Sequence, residues 1–140
     1  MRSLIAKDAS AAAWVYGPRL FDLPPVMQAF GFEYVAEGFD GFDWIKVDKE
    51  GRPVMSTGKT TRKGKETVLL WKRGKGLPIV DHGVRQVFFA PRGVHSEKPQ
   101  QIHEGLERLY GPDVRRLELF ARCERAGWTV WGKQVAASLT

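Results

Sequence analysis

Short apolar runs of strand length alternate with helix-like segments along this chain, and turn residues separate them. Ala11 to Tyr16 is an apolar run that Gly17-Pro18 ends, as expected of a buried strand. Pro24 and Pro25 suit the first turn of a helix that Gly31 stops. Because strands that alternate with helices are typical of one fold class, the pattern predicts an α/β fold with a largely parallel sheet.

The same alternation continues toward the end of the chain. Strand-like stretches occur in FEYVAEGFDGFDWIKVD (32–48), which reads as one or two strands, in ETVLLWKRG (66–74) and in VRQVFFAPRG (84–93). The most clearly specified helix follows, with Pro99 in its first turn and Gly111-Pro112 as its stop. Its apolar residues share one face: Ile102, Leu106, Leu109 and Tyr110. Two short strands, in RRLELFA (115–121) and GWTVWG (127–132), complete the predicted sheet.

The length of 140 residues suits one globular domain that covers residues 1–140. One cysteine, Cys123, excludes a disulfide framework, and three scattered histidines give no metal-ligand spacing, so no metal site is predicted. Lys7 and Asp8 interrupt the N-terminal apolar run, and no window holds the roughly 18 apolar residues of a membrane span. We therefore expect a cytoplasmic protein without a membrane partner.

Most of the positive charge lies in one segment. Residues 59–75 contain seven basic residues and one acidic residue, so their net charge of six equals the formal net charge of +6 for the whole chain. A clustered excess of this kind favours contact with nucleic-acid phosphates. A lysine-rich solvated loop that binds nothing is the alternative, and charge alone does not separate the two. The first four basic residues lie in a predicted basic loop over residues 48–66: Lys59, Arg62, Lys63 and Lys65.

Three other motifs give little support to a different chemistry. GRPVMSTGKT (51–60) has six residues between Gly51 and Gly58, whereas a phosphate-binding loop has four, and no apolar helix follows. No GxSxG elbow is present, and Cys123 lies in a polar turn without an adjacent histidine, so nucleophilic hydrolysis is not indicated. Asp81 and His82 are neighbours, but an Asp-His-Gly sequence is more typical of a turn than of an acid-base pair.

Polar residues follow the predicted strand LELFA (117–121) at once. In open parallel sheets, ligands bind beyond the carboxyl ends of the strands, so Arg122 would lie where a cofactor can reach it. Glu118 could accept hydrogen bonds from ribose hydroxyls, and Lys98 and Arg122 could meet a carboxylate or a phosphate. An exposed strand end with a salt bridge between residues four positions apart is the alternative that these residues leave open.

Several of these stretches resemble one protein family in their order and spacing. HSEKP (95–99), LELFAR (117–122), GW (127–128) and WGKQV (131–135) are similar to the C-terminal signature of the MT-A family, the N(6)-adenine methyltransferases named for the seventy-kilodalton subunit of the messenger-RNA enzyme. Upstream, AAAWVYGPRL, VMQAFGFEYV, FDWIKV and KGKETVLLWKRG resemble successive strands and a helix of the same family. The resemblance covers about residues 10 to 135.

This resemblance implies an activity and a set of site residues. Family members transfer a methyl group from S-adenosylmethionine to the exocyclic amine of adenine, so the implied cofactor is S-adenosylmethionine and the implied partner is DNA or RNA that contains adenine. The basic residues of the predicted loop correspond to the family's substrate-facing loop. The residues assigned to the cofactor are Lys98 at its charged end, Glu118 and Arg122 at the ribose, Phe120 packed nearby, Gln134 at the ribose or adenine, and His95 as the residue that orients the loop.

Departures from the family pattern bear on activity. The family's catalytic Asp-Pro-Pro-Trp motif normally lies several tens of residues before the strand that AAAWVYG resembles, whereas ten residues precede Ala11 here. DLPP (22–25) differs from the motif by an inserted leucine and by the lack of tryptophan. Lys133 also stands where the family usually has asparagine. The resemblance therefore implies a domain that is truncated at its N-terminal side but retains most of the cofactor-binding signature.

The missing motif has a structural consequence. In the family fold, its strand lies within a Rossmann-like methyltransferase sheet with helices on both faces, between the strands that LELFAR and AAAWVYG resemble. Without it, those two strands would pair directly, pair with a second chain or copy, or leave a weakly stable sheet. We therefore expect the isolated chain to be inactive or weak as a methyltransferase. The alternative is a non-catalytic subunit that binds nucleic acid through the basic loop.

Overall fold

The computed structural model describes residues 4–35, 41–93 and 97–135. Gly31 and Gly111, predicted as helix stops, follow the two α-helices with φ values of 83° and 76°. Within the described ranges, no helix has both the length and the apolar character needed to cross a bilayer.

In chain order the elements are β1 (Ala9–Val15), a 3₁₀ helix (Gly17–Asp22), α1 (Leu23–Ala29), β2 (Glu33–Tyr34), β3 (Phe42–Val47), β4 (Lys65–Arg73), β5 (Val87–Pro91), α2 (Gln101–Tyr110), β6 (Leu117–Leu119) and β7 (Thr129–Trp131).

The main sheet is mixed, so the prediction of a largely parallel sheet is wrong. Its strand order is β1-β4-β3-β5, and β2 also pairs with β4. β4 runs antiparallel to β1, β2 and β3, whereas β3 and β5 are parallel. The connection from β3 to β4 explains the difference, because residues 48–64, all of which the structure describes, contain no crossover helix. The chain instead returns beside β3 as a long hairpin.

Helices cover both faces of this sheet, as predicted for a Rossmann-like α/β domain. Side chains alternate along β4, so Val68 faces one side of the sheet and Leu69 and Trp71 face the other. One core cluster joins Leu69 and Trp71 to Met27 of α1. The other joins Val68 to Ile102 of α2. The buried apolar residues of β4 therefore hold the sheet between α1 and α2.

β6 and β7 form a separate parallel pair that α2 anchors to the rest of the fold. His103 of α2 contacts Glu118 of β6, and Glu107 accepts a hydrogen bond from Trp128, which precedes β7. Among the described residues, β1 has a ladder with β4 alone and β6 has one with β7 alone, so direct pairing of β1 with β6, the first of the three alternatives, does not occur. One backbone edge of β1 and one of β6 therefore have no ladder partner in this part of the chain.

Candidate cofactor and nucleic-acid site

The carboxyl ends of β6 and β7 lie side by side because the two strands are parallel. The turn that leaves β6 carries Arg122, and the turn that leaves β7 carries Gln134. The Nε atom of Arg122 donates a hydrogen bond to Oε1 of Gln134 at 3.0 Å. The structure thus brings together two residues predicted to bind the cofactor, at the kind of sheet edge where α/β proteins bind ligands.

Backbone contacts hold these two turns close together. The N–H group of Ala121 donates a hydrogen bond to the carbonyl oxygen of Trp131 at 3.0 Å. Gly132 lies so near that an added Cβ would overlap the Ala121 carbonyl oxygen. Phe120 has a φ of 62°, which is uncommon for a residue with a side chain. The residue is 76% exposed, and the centroid of its ring lies 5.6 Å from that of Trp131. The left-handed Phe120 and the glycine at position 132 therefore shape this edge.

Glu118, predicted to contact the ribose, is held from the side of α2. Its Oε2 atom lies 3.0 Å from Nε2 of His103, and both side chains are largely shielded from solvent. Burial lowers the pKa of His103 below its ordinary value of 6.5, although the Glu118 carboxylate opposes that shift. The Glu118 carboxylate is therefore fixed at β6 by a buried imidazole.

Lys98, predicted to meet the charged end of the cofactor, lies just before α2 and forms an ion pair with Glu66 of β4. Lys46 of β3 forms a second ion pair with the same carboxylate, at 2.7 Å. Burial alone would raise the pKa of Glu66, but the hydrogen bonds and charges of the two lysines outweigh burial and lower it below its ordinary value of 4.5. We call Lys46, Glu66 and Lys98 the lysine cluster; one carboxylate in it separates two ammonium groups.

Two tryptophans flank the lysine cluster. Trp14 and Trp44 meet edge to face, with ring centroids 6.1 Å apart. The Nζ atom of Lys98 lies 4.9 Å from the centre of the Trp14 ring, and that of Lys46 lies 5.0 Å from the centre of the Trp44 ring. Trp44 is fixed in turn by a hydrogen bond from its Nε1 to the carbonyl oxygen of Ala90 at 2.8 Å. Ionic and aromatic contacts together therefore limit where the two ammonium groups can lie.

Three residues of this site were not predicted from the sequence: Lys46, Glu66 and His103. The charge pattern held a signal for Glu66, because it is the one acidic residue within 59–75. Lys46 could have been noticed as a basic residue between the apolar residues Ile45 and Val47 of a strand, since a half-buried lysine needs a partner. His103 lies beside Ile102 in an amphipathic helix, where sequence spacing gives no indication that the histidine is buried.

The basic segment contains both exposed and paired residues. Lys59 and Arg62 are exposed in the loop between β3 and β4. The Nζ atom of Lys63 donates a hydrogen bond to the hydroxyl of Tyr16 at 2.5 Å. Lys65 already belongs to β4 and forms an ion pair with a carboxylate of β3 at 2.9 Å. The last two residues of the predicted basic loop (48–66) thus belong to β4. Within 59–65, the exposed cations that belong to the loop itself are Lys59 and Arg62.

The remaining predicted residue, His95, lies outside the described residues. Two shallow clefts, both open to solvent, occur around Pro112 and Arg116 at the opposite, amino-terminal end of β6. The guanidinium of Arg116 donates hydrogen bonds to the carbonyl oxygens of Gly111 and Val114, so it closes the end of α2. The edge with Arg122 therefore remains the candidate cofactor site.

Comparison with known proteins agrees with the family that the sequence resembles. The MT-A70 family model matches residues 1–134. A type II methyltransferase of Mycoplasma sp, M.MunI, is 33% identical over 134 residues, which make up 95% of this chain and 53% of that protein. The N6-methyladenosine RNA methyltransferase MTA1 of Pyricularia oryzae is 30% identical over 140 residues, with 95% of this chain and 36% of that protein covered. The human N(6)-adenine-specific methyltransferase METTL4 is 31% identical over 119 residues, with coverage of 76% and 24%.

The matched region includes both parts of the candidate site. It runs from before β1 to Gln134, so it contains the lysine cluster and the carboxyl edge of β6 and β7. The chain spans about half the length of M.MunI and smaller shares of the other two relatives. Because the family model covers nearly the whole chain, the chain belongs to the MT-A70 family.

Proposed function

We propose that this chain is the cofactor-binding part of an S-adenosylmethionine-dependent N(6)-adenine methyltransferase that acts on DNA or RNA. The observation that carries the proposal is the contact between Arg122 and Gln134 at the carboxyl edge of a parallel strand pair, inside the matched family region. The names of the relatives all describe methyltransferases, and two of them refer to N6-methyladenosine or N(6)-adenine.

The groups at this edge fit the polar parts of S-adenosylmethionine. The carboxylate of Glu118 accepts hydrogen bonds of the kind that ribose hydroxyls donate, and the amide of Gln134 can both donate and accept. The guanidinium of Arg122 carries several N–H donors, of which Nε is directed at Gln134. Bound S-adenosylmethionine supplies an activated methyl group. The task of the three side chains is therefore to hold that cofactor in one orientation.

Lys98 is proposed to bind the cofactor carboxylate. Its ammonium shares Glu66 with Lys46, so the lysine cluster keeps one positive charge that an incoming anion can balance. Lys98 also lies just before the helix that carries His103, and His103 contacts Glu118. α2 therefore connects Lys98, proposed to bind the charged end of the cofactor, with Glu118, proposed to bind its ribose.

DNA or RNA that contains adenine is the proposed substrate. Lys59 and Arg62 are exposed on the loop between β3 and β4, where cations are available to contact phosphates. An adenine amine that pairs inside a duplex is out of reach of an enzyme site, so the target base would be flipped or single-stranded. Contacts to phosphates alone carry no sequence preference, which other contacts would have to supply.

The chain is proposed to need a further strand for catalysis. Asp-Pro-Pro-Trp does not occur in its 140 residues, and within the described residues β1 and β6 each have an edge without a ladder partner. A strand from a second chain or copy, or from another segment of a longer chain, would satisfy both backbone edges. It would also bring a catalytic acid beside the cofactor edge. The 140 residues alone are therefore expected to be inactive or weak.

A non-catalytic subunit that binds nucleic acid is the second candidate. Its basic loop begins with an ordered turn, in which the carboxylate of Asp48 accepts backbone hydrogen bonds from Glu50 and Arg52 at 2.9 Å. This turn lies at the start of the loop that presents Lys59 and Arg62. Such a subunit would bind nucleic acid in a salt-dependent way without needing the cofactor.

Calorimetric titration with S-adenosylmethionine tests the proposal. We expect saturable binding, and weaker binding after Arg122→Ala or Lys98→Ala. Arg115→Ala is the matched control, because Arg115 is exposed just before β6, away from the carboxyl edge. Absence of binding in a chain that circular dichroism shows to be folded would favour the second candidate. A methylation assay on adenine-containing DNA and RNA completes the test, since turnover by the chain alone would contradict the expected inactivity.

A further inference from the structure

His103 is a buried polar residue with a defined partner. It lies on α2 with 8% of its surface exposed, and its Nε2 atom is 3.0 Å from Oε2 of Glu118. Glu118 lies in the middle of β6, two residues before the turn that leads to Arg122. The imidazole therefore reaches across from the helix to the strand whose carboxyl end forms the candidate cofactor edge.

The ring of His103 is also held on a second side. It meets the ring of Trp128 edge to face, with centroids 5.1 Å apart and an angle of 81° between the ring planes. The Nε1 atom of Trp128 donates a hydrogen bond at 2.6 Å to Glu107, which lies four residues after His103 on the same helix. Because Trp128 is tied to α2 in this way, the two aromatic rings restrict each other's orientation.

The contact with Glu118 determines which nitrogen of the ring carries the proton. Burial lowers the pKa of His103, so the ring is neutral at neutral pH and has one N–H group. A carboxylate can only accept, so that N–H group is on Nε2 and is donated to Glu118. The other nitrogen, Nδ1, is buried without a hydrogen-bond partner among the described residues. The ring thus gives its one donor to Glu118.

From this geometry we infer that His103 is a positioning residue, which fixes the Glu118 carboxylate so that its remaining acceptor sites face the ribose hydroxyls of the cofactor. The inference rests on the proposed cofactor site and goes beyond it by assigning a role to a residue of α2. A carboxylate has room for several hydrogen bonds, so one bond from His103 leaves acceptor capacity for a hydroxyl. It also removes the rotational freedom that ligand binding would otherwise have to restrict.

Two variants separate the hydrogen bond from the packing. His103→Phe keeps a ring against Trp128 but removes the donor, and His103→Gln keeps an N–H group near the place of Nε2. The ligands are S-adenosylhomocysteine and its 2′-deoxy and 3′-deoxy analogues, titrated by calorimetry. We expect His103→Phe to weaken S-adenosylhomocysteine roughly tenfold, since the lost bond is to a charged group. His103→Gln should restore part of that loss, and the deoxy analogue that lacks the hydroxyl bound by Glu118 should discriminate little between the variants.

The outcomes distinguish the inference from the function on which it rests. Failure of the unaltered, folded chain to bind S-adenosylhomocysteine would reject the proposed cofactor site itself. Equal losses for the parent ligand and both deoxy analogues would show a general structural role for His103 and overturn the inference alone. If His103→Phe fails to fold, Glu118→Gln and His103→Gln/Glu118→Gln carry the test. His103→Gln must then affect binding less when residue 118 is Gln than when it is Glu, and equal effects would overturn the inference.

Discussion

The guanidinium of Arg122 donates a hydrogen bond to the side-chain oxygen of Gln134 at 3.0 Å, across the carboxyl ends of two parallel strands. Twelve positions separate the two residues, and the turns after β6 and β7 bring them together. Both side chains are exposed at this edge, so we expect their hydrogen bond to contribute little to the stability of the fold.

The first prediction concerns this pair. Arg122→Ala should reduce the affinity for S-adenosylmethionine by about 10- to 100-fold, because a charge-assisted hydrogen bond is worth about 1.5–3 kcal/mol. Arg122→Lys should give an intermediate loss, since it keeps the charge but not the planar fork of donors. Calorimetry on Gln134→Ala and on the double variant completes the cycle. Losses that add fully would contradict the idea that the two side chains bind as a unit.

The second prediction concerns the basic loop. Each phosphate contact that is removed should lower the slope of log affinity against log salt by about 0.7–0.9. Lys59→Ala and Arg62→Ala should therefore weaken binding to single-stranded oligonucleotides and flatten the salt dependence, as measured by fluorescence anisotropy at several salt concentrations. Lys49→Ala, an exposed lysine nearer β3, is the control. An unchanged slope in the double variant Lys59→Ala/Arg62→Ala would exclude these two residues from the interface.

The third prediction concerns the acid stability of the fold. Burial and the charge of Arg125 lower the pKa of His103, and Glu118 and Glu107 oppose them, with a net value below 6.5. The unfolded chain therefore binds a proton at this residue more readily than the folded chain, and stability is lost as pH falls from about 6.5 through the folded-state pKa. His103→Phe should lose less stability between about pH 7.5 and about pH 5.5, as measured by urea unfolding. Parallel losses in both proteins would contradict this assignment.

The order of the elements could be predicted from the sequence, but the strand directions could not. Apolar runs and Gly or Pro stops depend on neighbours along the chain, and they located β1, β4 and α2 to within a few residues. Strand direction depends on how a connection is made. The loop between β3 and β4 contains charged and turn residues, and it is long enough for either a hairpin or a crossover, so its sequence does not determine the direction of β4 relative to β3.

The same distinction applies to the candidate site: residues in a local sequence signature could be predicted, whereas contacts between distant segments could not. Arg122, Gln134 and Glu118 lie near one another in the sequence, and a family signature marks them. Glu66 and Lys98 are 32 positions apart, and their contact depends on the packing of the segment before α2 against the sheet. No local pattern contains that information. Buried ionic and imidazole partners are therefore the part of such a site that requires a three-dimensional structure.

The fourth prediction concerns Gly132. A Cβ at this position would overlap the carbonyl oxygen of Ala121, which is backbone and cannot move without separating the two turns. Gly132→Ala should therefore lower the free energy of unfolding by about 1–3 kcal/mol, as expected for overpacking. It should also weaken S-adenosylmethionine binding through the displaced Arg122. Gly17→Ala is the matched control, since an added Cβ at Gly17 meets no atom within 4 Å. Equal thermal midpoints for the two variants would contradict the close approach.

The fifth prediction concerns Glu66, which holds both Lys46 and Lys98. Glu66→Gln leaves two half-buried ammonium groups without their shared carboxylate and should destabilise the fold by about 1–3 kcal/mol at neutral pH. Because the folded-state pKa of Glu66 lies below 4.5, its contribution is fully present above that value and is lost as pH falls through the folded-state pKa. The difference between the two proteins in urea unfolding should therefore shrink in acid. A difference that stays constant below about pH 4 would show that the cost comes from packing and not from the two ion pairs.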